Sequence, residues 1–168
     1  AAANDIALLA TNADEIMNDP ASWVGGNPDG DITLVEFMDY RCGYCKKAFE
    51  EVSELISSDG NIRFVVKEFP ILGPQSELAA RFAIAVLQVE GADTYEKAHN
   101  ALMVMKGDVT DESLAALGAE VGVKDMAAIV ARMSAGDLTQ RVSYQFGDEI
   151  GQLGAAFNRM AEQLQERE

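Results

Sequence analysis

The sequence predicts an α/β fold nucleated by one βαβ unit and continued by helices. Three observations carry this. Residues 31–39, DITLVEFMD, come after a dense turn signal and are rich in β-branched and aromatic side chains, as a strand requires. Residues 43–57 place Phe49, Val52, Leu55 and Ile56 at helical spacing, one apolar stripe. Residues 62–69, IRFVVKEF, read as a second strand stopped by Pro70. Strand, helix and strand within about 40 residues imply a parallel pair with a right-handed crossover.

Residues 1–24 form a loosely tethered helical extension with Ile6, Leu8, Leu9, Ile16 and Met17 as its apolar positions, and Pro20 ends the helix. Residues 25–30, GGNPDG, are a turn, and Ser58 to Asn61 breaks the first long helix. After Pro74 the chain is helical. Leu78, Phe82, Val86 and Val89 share one face, closed by Gly91. Asp93 to Glu96 has capping-box spacing, and Tyr95, Leu102 and Met105 lie beyond it on one side. Thr110 caps the next helix, with Asp111 and Glu112 in the first turn where the dipole favours anions. A further helix runs from Lys124 to Ala135, with Met126, Ile129, Val130 and Met133 inward. Two strands make a poor sheet. Thr139–Gln145, within the extended stretch that starts at Gly136, offers a third through alternating Val142, Tyr144 and Phe146. The last helix carries Ile150, Leu153, Phe157, Met160 and Leu164 at gaps of 3, 4, 3 and 4. That seam fits either a coiled-coil dimer or an amphipathic helix packed on its own domain.

The chain has 168 residues, a net charge of −15 and 48% hydrophobic residues, enough for a core. So acidic a protein lacks the basic face that nucleic acid requires, and the polybasic patch that anionic membranes attract. No apolar stretch approaches the ~18 residues of a membrane helix. Ala1 to Ala10 lacks a basic n-region, and is read as the mature end left by a cleaved signal peptide.

The chemistry concentrates at Cys42-Gly43-Tyr44-Cys45, where strand gives way to helix. A thiol there feels unpaired backbone N–H groups and the positive end of the dipole, both of which favour thiolate. Thiolate is the nucleophile of disulfide exchange. Arg41, Lys46 and Lys47 add local positive charge. Cys45, one turn further in, is placed to attack a mixed disulfide on Cys42. Cys42 is therefore read as the exposed nucleophile and Cys45 as the more buried resolving thiol. Two other readings stand beside this one. A lone CxxC could be half of a zinc site, but zinc takes four ligands and the chain has no further cysteine and one histidine, His99. A structural disulfide would close a very small loop and constrain little. His99, amid apolar residues on a helix, reads as a packed or surface residue. Glu36, an acid inside the apolar strand, lies six positions before Cys42. It is either a buried proton relay to Cys45 or an edge-facing glutamate.

The segment from Asp31 to Cys45 resembles the catalytic segment of DsbA-family thiol-disulfide oxidoreductases, in the branch with a VEFxDYxCxYC pattern. The resemblance extends upstream to GGNPDG at 25–30. Downstream it takes in KEFPILGP at 67–74, Ser76, Ala79 and Ala80, and it spans about residues 15–133. It implies a thioredoxin-like fold with an inserted helical domain at 74–135, acting on secreted or periplasmic proteins. By position, Cys42 is the nucleophile, Cys45 the resolving thiol and Glu36 the buried acid. Gly43-Tyr44 departs from the strongly oxidising Pro-His version. No proline occurs after Pro74, so the family's cis-proline hairpin is expected to be missing and activity on polypeptides reduced. Residues 126–166, with DEIG at 148–151 and FNRM at 157–160, resemble part of a HAMP signalling module.

The expected organisation is an extension at 1–24, a DsbA-like domain at 25–135 and a HAMP-like segment at 136–168. The expected function is thiol-disulfide exchange with cysteine-containing proteins, served by a redox partner protein and by no cofactor beyond the Cys42–Cys45 disulfide. No metal and no nucleic acid are expected, and a homodimer would form through residues 149–166. The competing expectation is a non-catalytic redox-sensing or dimerising signalling module built on the tail.

Overall fold

The structure is a computed structural model that describes Ala7 and residues 9–135. Chain contacts separate Ala1–Met133 from Ser134–Glu168. The extended stretch from Gly136, the strand at 139–145 and the seam from Ile150 to Leu164 lie outside the described residues.

Three strands, β1 (Trp23–Gly26), β2 (Ile32–Met38) and β3 (Ile62–Glu68), form one sheet in the order β1-β3-β2. β2 and β3 are parallel from Ile32 opposite Ile62 to Met38 opposite Glu68, as the βαβ reading requires. β1 is antiparallel to β3, with Trp23 opposite Val66. This strand corrects the sequence reading, which placed an extension up to residue 24 and a turn from 25. Four residues with two glycines carry little strand propensity; pairing and packing supply it instead. Trp23 is buried against Phe64, ring centroids 6.3 Å apart, and Asn27 N–H donates to Ile62 O at 2.8 Å.

Alternation along β3 gives the sheet of the first unit two faces. Phe64, Val66 and Glu68 share one face with Leu34, Glu36 and Met38 of β2, beneath the helices. Arg63, Val65 and Lys67 point the other way. There Lys67 Nζ meets Asp19 Oδ2 at 2.9 Å and donates to Glu15 O at 3.1 Å, while Arg63 donates to Met17 O at 2.7 Å. The short helix α1 (Ala13–Met17) is therefore tied to the sheet by two cations, rather than loosely tethered.

Helix α2 (Gly43–Asp59) connects β2 to β3 and stops at Gly60, whose φ of 70° is the left-handed cap that glycine adopts without strain. Phe49, Val52 and Ile56 pack on the core, but Leu55 stays half-exposed, so the apolar stripe is narrower than its spacing implies. α3 (Pro74–Glu90) starts with Pro74 in its first turn and buries Ala79, Phe82, Ala83 and Val86. α4 (Ala92–Val104) buries Tyr95, Ala98, His99 and Leu102. Its N-cap is Gly91 with no side-chain bond, so the capping box at Asp93 to Glu96 does not form. α5 (Asp111–Val121) starts at Thr110 as read: Thr110 Oγ1 accepts from Ser113 N–H, and Ser113 Oγ accepts from Thr110 N–H. In α6 (Met126–Ser134), Ile129 is fully buried and Met126 and Met133 pack on the core. Val130 turns outward at 53% exposure, against its inward reading. Among the described residues no helix is long and apolar enough to cross a membrane.

Candidate active site

β2 ends at Met38, and the four residues after it form the turn that carries the cysteines. Asp39 starts this turn. Its Oδ1 accepts from Arg41 N–H at 2.7 Å and its carbonyl accepts from Cys42 N–H at 3.0 Å. Cys42 is then the N-cap of α2, extended at φ −73° and ψ 113°, and its sulfur accepts from Cys45 N–H at 3.4 Å. A cysteine thus occupies the position where Ser, Thr or Asp usually satisfies a helix's first amides. Both thiols are free and half-buried, while Gly43 and Tyr44 between them are exposed, Tyr44 at 86%.

This geometry separates the two sulfurs electrostatically. The Cys45 amide, followed by the Cys45 thiol and the Tyr44 amide, holds the Cys42 thiol below its ordinary range. Burial pushes Cys45 up, and the charges of Cys42 and Glu36 add to that effect. Two of the cations expected to help, Arg41 and Lys46, are engaged elsewhere. Lys46 Nζ donates to Leu102 O at 3.0 Å and Met105 O at 2.7 Å, capping α4. Arg41 donates to Gly107 O at 2.5 Å and pairs with Asp108 at 3.9 Å. The causes that lower Cys42 lie at the helix terminus, in the Cys45 and Tyr44 amides and the Cys45 thiol.

Glu36 faces the helices between Leu34 and Met38, and burial raises its pKa. It lines a cavity of about 480 Å³ together with Trp23, Phe49, Val52, Phe64 and His99. It is half-buried, less enclosed than the resemblance implies. The more enclosed carboxyl on this face belongs to Glu68, a partly buried residue whose Oε2 is cut off from solvent. Tyr40 and Tyr95 both donate to its Oε1, at 2.8 and 2.7 Å, and Oε2 has no hydrogen-bond partner among the described residues. Burial pushes Glu68 up to about 7. Tyr40 also meets His99 Nδ1 at 3.1 Å, and burial lowers His99 to about 4. His99 stacks on Tyr95 and Trp23, which fits the packed reading of that residue. Sequence reasoning assigned nothing to Glu68 or to the Asp39 side chain. The alternation Phe64, Val66, Glu68 was the available signal for the first. Among the described residues no cluster of His, Cys, Asp or Glu could hold a metal ion.

A parallel strand pair, an antiparallel third strand and a CxxC capping the crossover helix define a thioredoxin-like thiol site. Comparison with known proteins agrees. A thioredoxin-like oxidoreductase from Silicibacter pomeroyi is 43% identical with a TM-score of 0.70, over 77% of this chain and 72% of that one. The thiol-disulfide exchange protein alpha-DsbA2 from Wolbachia pipientis is 28% identical, TM-score 0.71, over 80% and 72%. A periplasmic thioredoxin-like protein from Salmonella enterica serovar Typhimurium is 26% identical, TM-score 0.64, over 77% and 78%. The chain belongs to the thioredoxin-like, DsbA-like thiol-disulfide oxidoreductases. A HAMP domain family model matches residues 122–166, in agreement with the HAMP resemblance of the tail. A Na(+)/H(+) antiporter, NhaA 1, from Salinispora arenicola is 31% identical over 93 residues; the match covers 54% of this chain and 14% of the antiporter's length.

Proposed function

We propose that the chain exchanges disulfides with cysteine-containing proteins outside the cytoplasm through Cys42 and Cys45. The observation that carries this is the Cys42 sulfur capping α2 under the Cys45 amide. Cys42 thiolate attacks one sulfur of a substrate disulfide, forming a mixed disulfide and expelling a substrate thiolate. Cys45 gives up its proton and attacks the Cys42 sulfur, expelling the second thiolate. The substrate gains two electrons and the chain is left as the Cys42–Cys45 disulfide. Run in reverse, the same steps oxidise a substrate dithiol. The pair carries both electrons itself, so no dissociable cofactor is needed, and a redox partner protein resets it. Glu36 is the acceptor for the Cys45 proton, and its cavity links it to solvent. The extracytoplasmic location is supported by the Salmonella neighbour described as periplasmic. Insulin reduction by dithiothreitol tests the reading. Wild type accelerates it and Cys42→Ser does not; equal rates overturn it.

A second reading rests on the HAMP match at 122–166. In it the tail self-associates through residues 149–166 and the CxxC serves as a redox input rather than a catalyst. Sedimentation of the full chain tests this one. A dimer disrupted by Phe157→Asp supports it, and a monomer at high concentration removes it.

A further inference from the structure

Asp39 sits three residues before Cys42 and is only 4% exposed. Its carboxylate is satisfied entirely by main chain. Oδ1 accepts from Arg41 N–H, and Oδ2 accepts from Ile71 N–H at 2.9 Å and Leu72 N–H at 3.1 Å. No cation pairs with it among the described residues, because the neighbouring Arg41 reaches instead to Gly107 and Asp108. A carboxylate is thus locked beside the cysteine turn and pinned to the loop after β3 by amides alone. Its backbone carbonyl meanwhile receives the Cys42 amide.

We propose that Asp39 is a positioning residue that moderates the nucleophile: three backbone amides fix its charge against the turn, where it opposes the thiolate on Cys42. The inference rests on the thiol-disulfide reading above. Among the influences on Cys42, the charge of Asp39 opposes the helix amides and is the smallest of them. The other ionisable groups around the site are Arg41, Tyr40, Glu36, Glu68, Asp108, Cys45 and Lys46. Lys46 is bonded to carbonyls of α4 and its own pKa is lowered by burial and by Arg41. In the exchange, protein disulfide plus two glutathione thiols gives protein dithiol plus glutathione disulfide. A thiolate relieved of a neighbouring charge stabilises the dithiol, so the protein becomes the stronger oxidant.

The test separates charge from shape. Asp39→Asn removes the charge at nearly constant volume, and Asp39→Glu keeps the charge and changes the shape. Asp39→Ser is the second uncharged variant, used if Asn fails to give a cooperative melt. Two quantities are read on the full chain: the pH midpoint of Cys42 alkylation by iodoacetamide, and the equilibrium with glutathione. In the uncharged variant the midpoint falls and the glutathione equilibrium moves toward dithiol by about fivefold, the scale of one nearby charge in a high dielectric. Asp39→Glu keeps the wild-type midpoint even where its melting temperature drops. An uncharged variant that titrates with wild type, or that shifts together with Asp39→Glu, overturns the role of Asp39. If the wild type itself shows no Cys42-dependent exchange, the thiol-disulfide reading fails instead, and the alkylation midpoints alone decide on Asp39.

Discussion

Glu68 and His99 share the hydroxyl of Tyr40 but titrate in opposite senses, and this sets how stability depends on pH. Glu68 is raised from 4.5 to about 7, so its contribution is fully present below pH 4.5 and is lost as pH rises through about 7. His99 is lowered from 6.5 to about 4, so its contribution is present above pH 6.5 and is lost as pH falls through about 4. Each shift corresponds to about 3 kcal/mol at 1.36 kcal/mol per pH unit. Between pH 4.5 and 6.5 the folded chain holds a proton on Glu68 and the unfolded chain holds one on His99. The two slopes cancel over that range. Removing either partner exposes the other. His99→Phe keeps an aromatic ring against Trp23 and Tyr95, while Tyr40 still donates to Glu68. Relative to wild type this variant gains stability toward acid, by about 3 kcal/mol between pH 6.5 and 4. Glu68→Gln, nearly isosteric, loses a similar amount relative to wild type as pH falls from 7 to 4.5. Urea unfolding of the reduced chain at unit steps from pH 4 to 8 reads both differences. Two variants whose differences from wild type stay constant with pH, or share a sign, refute the reasoning.

Three further outcomes rest on particular contacts. Glu36→Gln slows resolution by Cys45 more than attack by Cys42 in rapid-quench kinetics; equal slowing of both steps counts against a proton relay. Thr110→Ala removes the acceptor for Ser113 N–H and lowers stability by about 1 kcal/mol, seen as a fall of a few degrees in melting temperature. Ile129→Ala, at a fully buried position of α6, costs about 2–5 kcal/mol in urea unfolding; a loss under ~1 kcal/mol would mean that α6 does not pack on this core.

The features legible in the sequence are those set by local chemistry. β2, α2 and β3 form as their patterns imply, because turn residues and apolar spacing agree there. The CxxC at a helix N-terminus was legible for the same reason, since strand, turn and cap are contiguous. Misreadings arose where tertiary packing decides. Trp23–Gly26 becomes a strand only because β3 offers it a partner. Leu55 and Val130 fall on helical stripes at positions that stay 51% and 53% exposed. The local cations read at Arg41 and Lys46 were real residues aimed at carbonyls over 50 positions away in the chain. The Glu68 carboxyl is held by Tyr95 of α4, which stacks on His99, and no window around residue 68 contains either.

The most direct test of the account is the fate of glutathione disulfide mixed with the reduced chain, followed by acid quench and mass spectrometry. Protein dithiol plus glutathione disulfide should give the Cys42–Cys45 disulfide and two glutathione thiols in wild type. Cys45→Ser should stop at one glutathione attached to Cys42, and Cys42→Ser should react far more slowly at neutral pH. A Cys42→Ser chain that reacts as fast as Cys45→Ser, or a Cys45→Ser chain that accumulates no mixed disulfide, would contradict the assignment of Cys42 as the activated nucleophile.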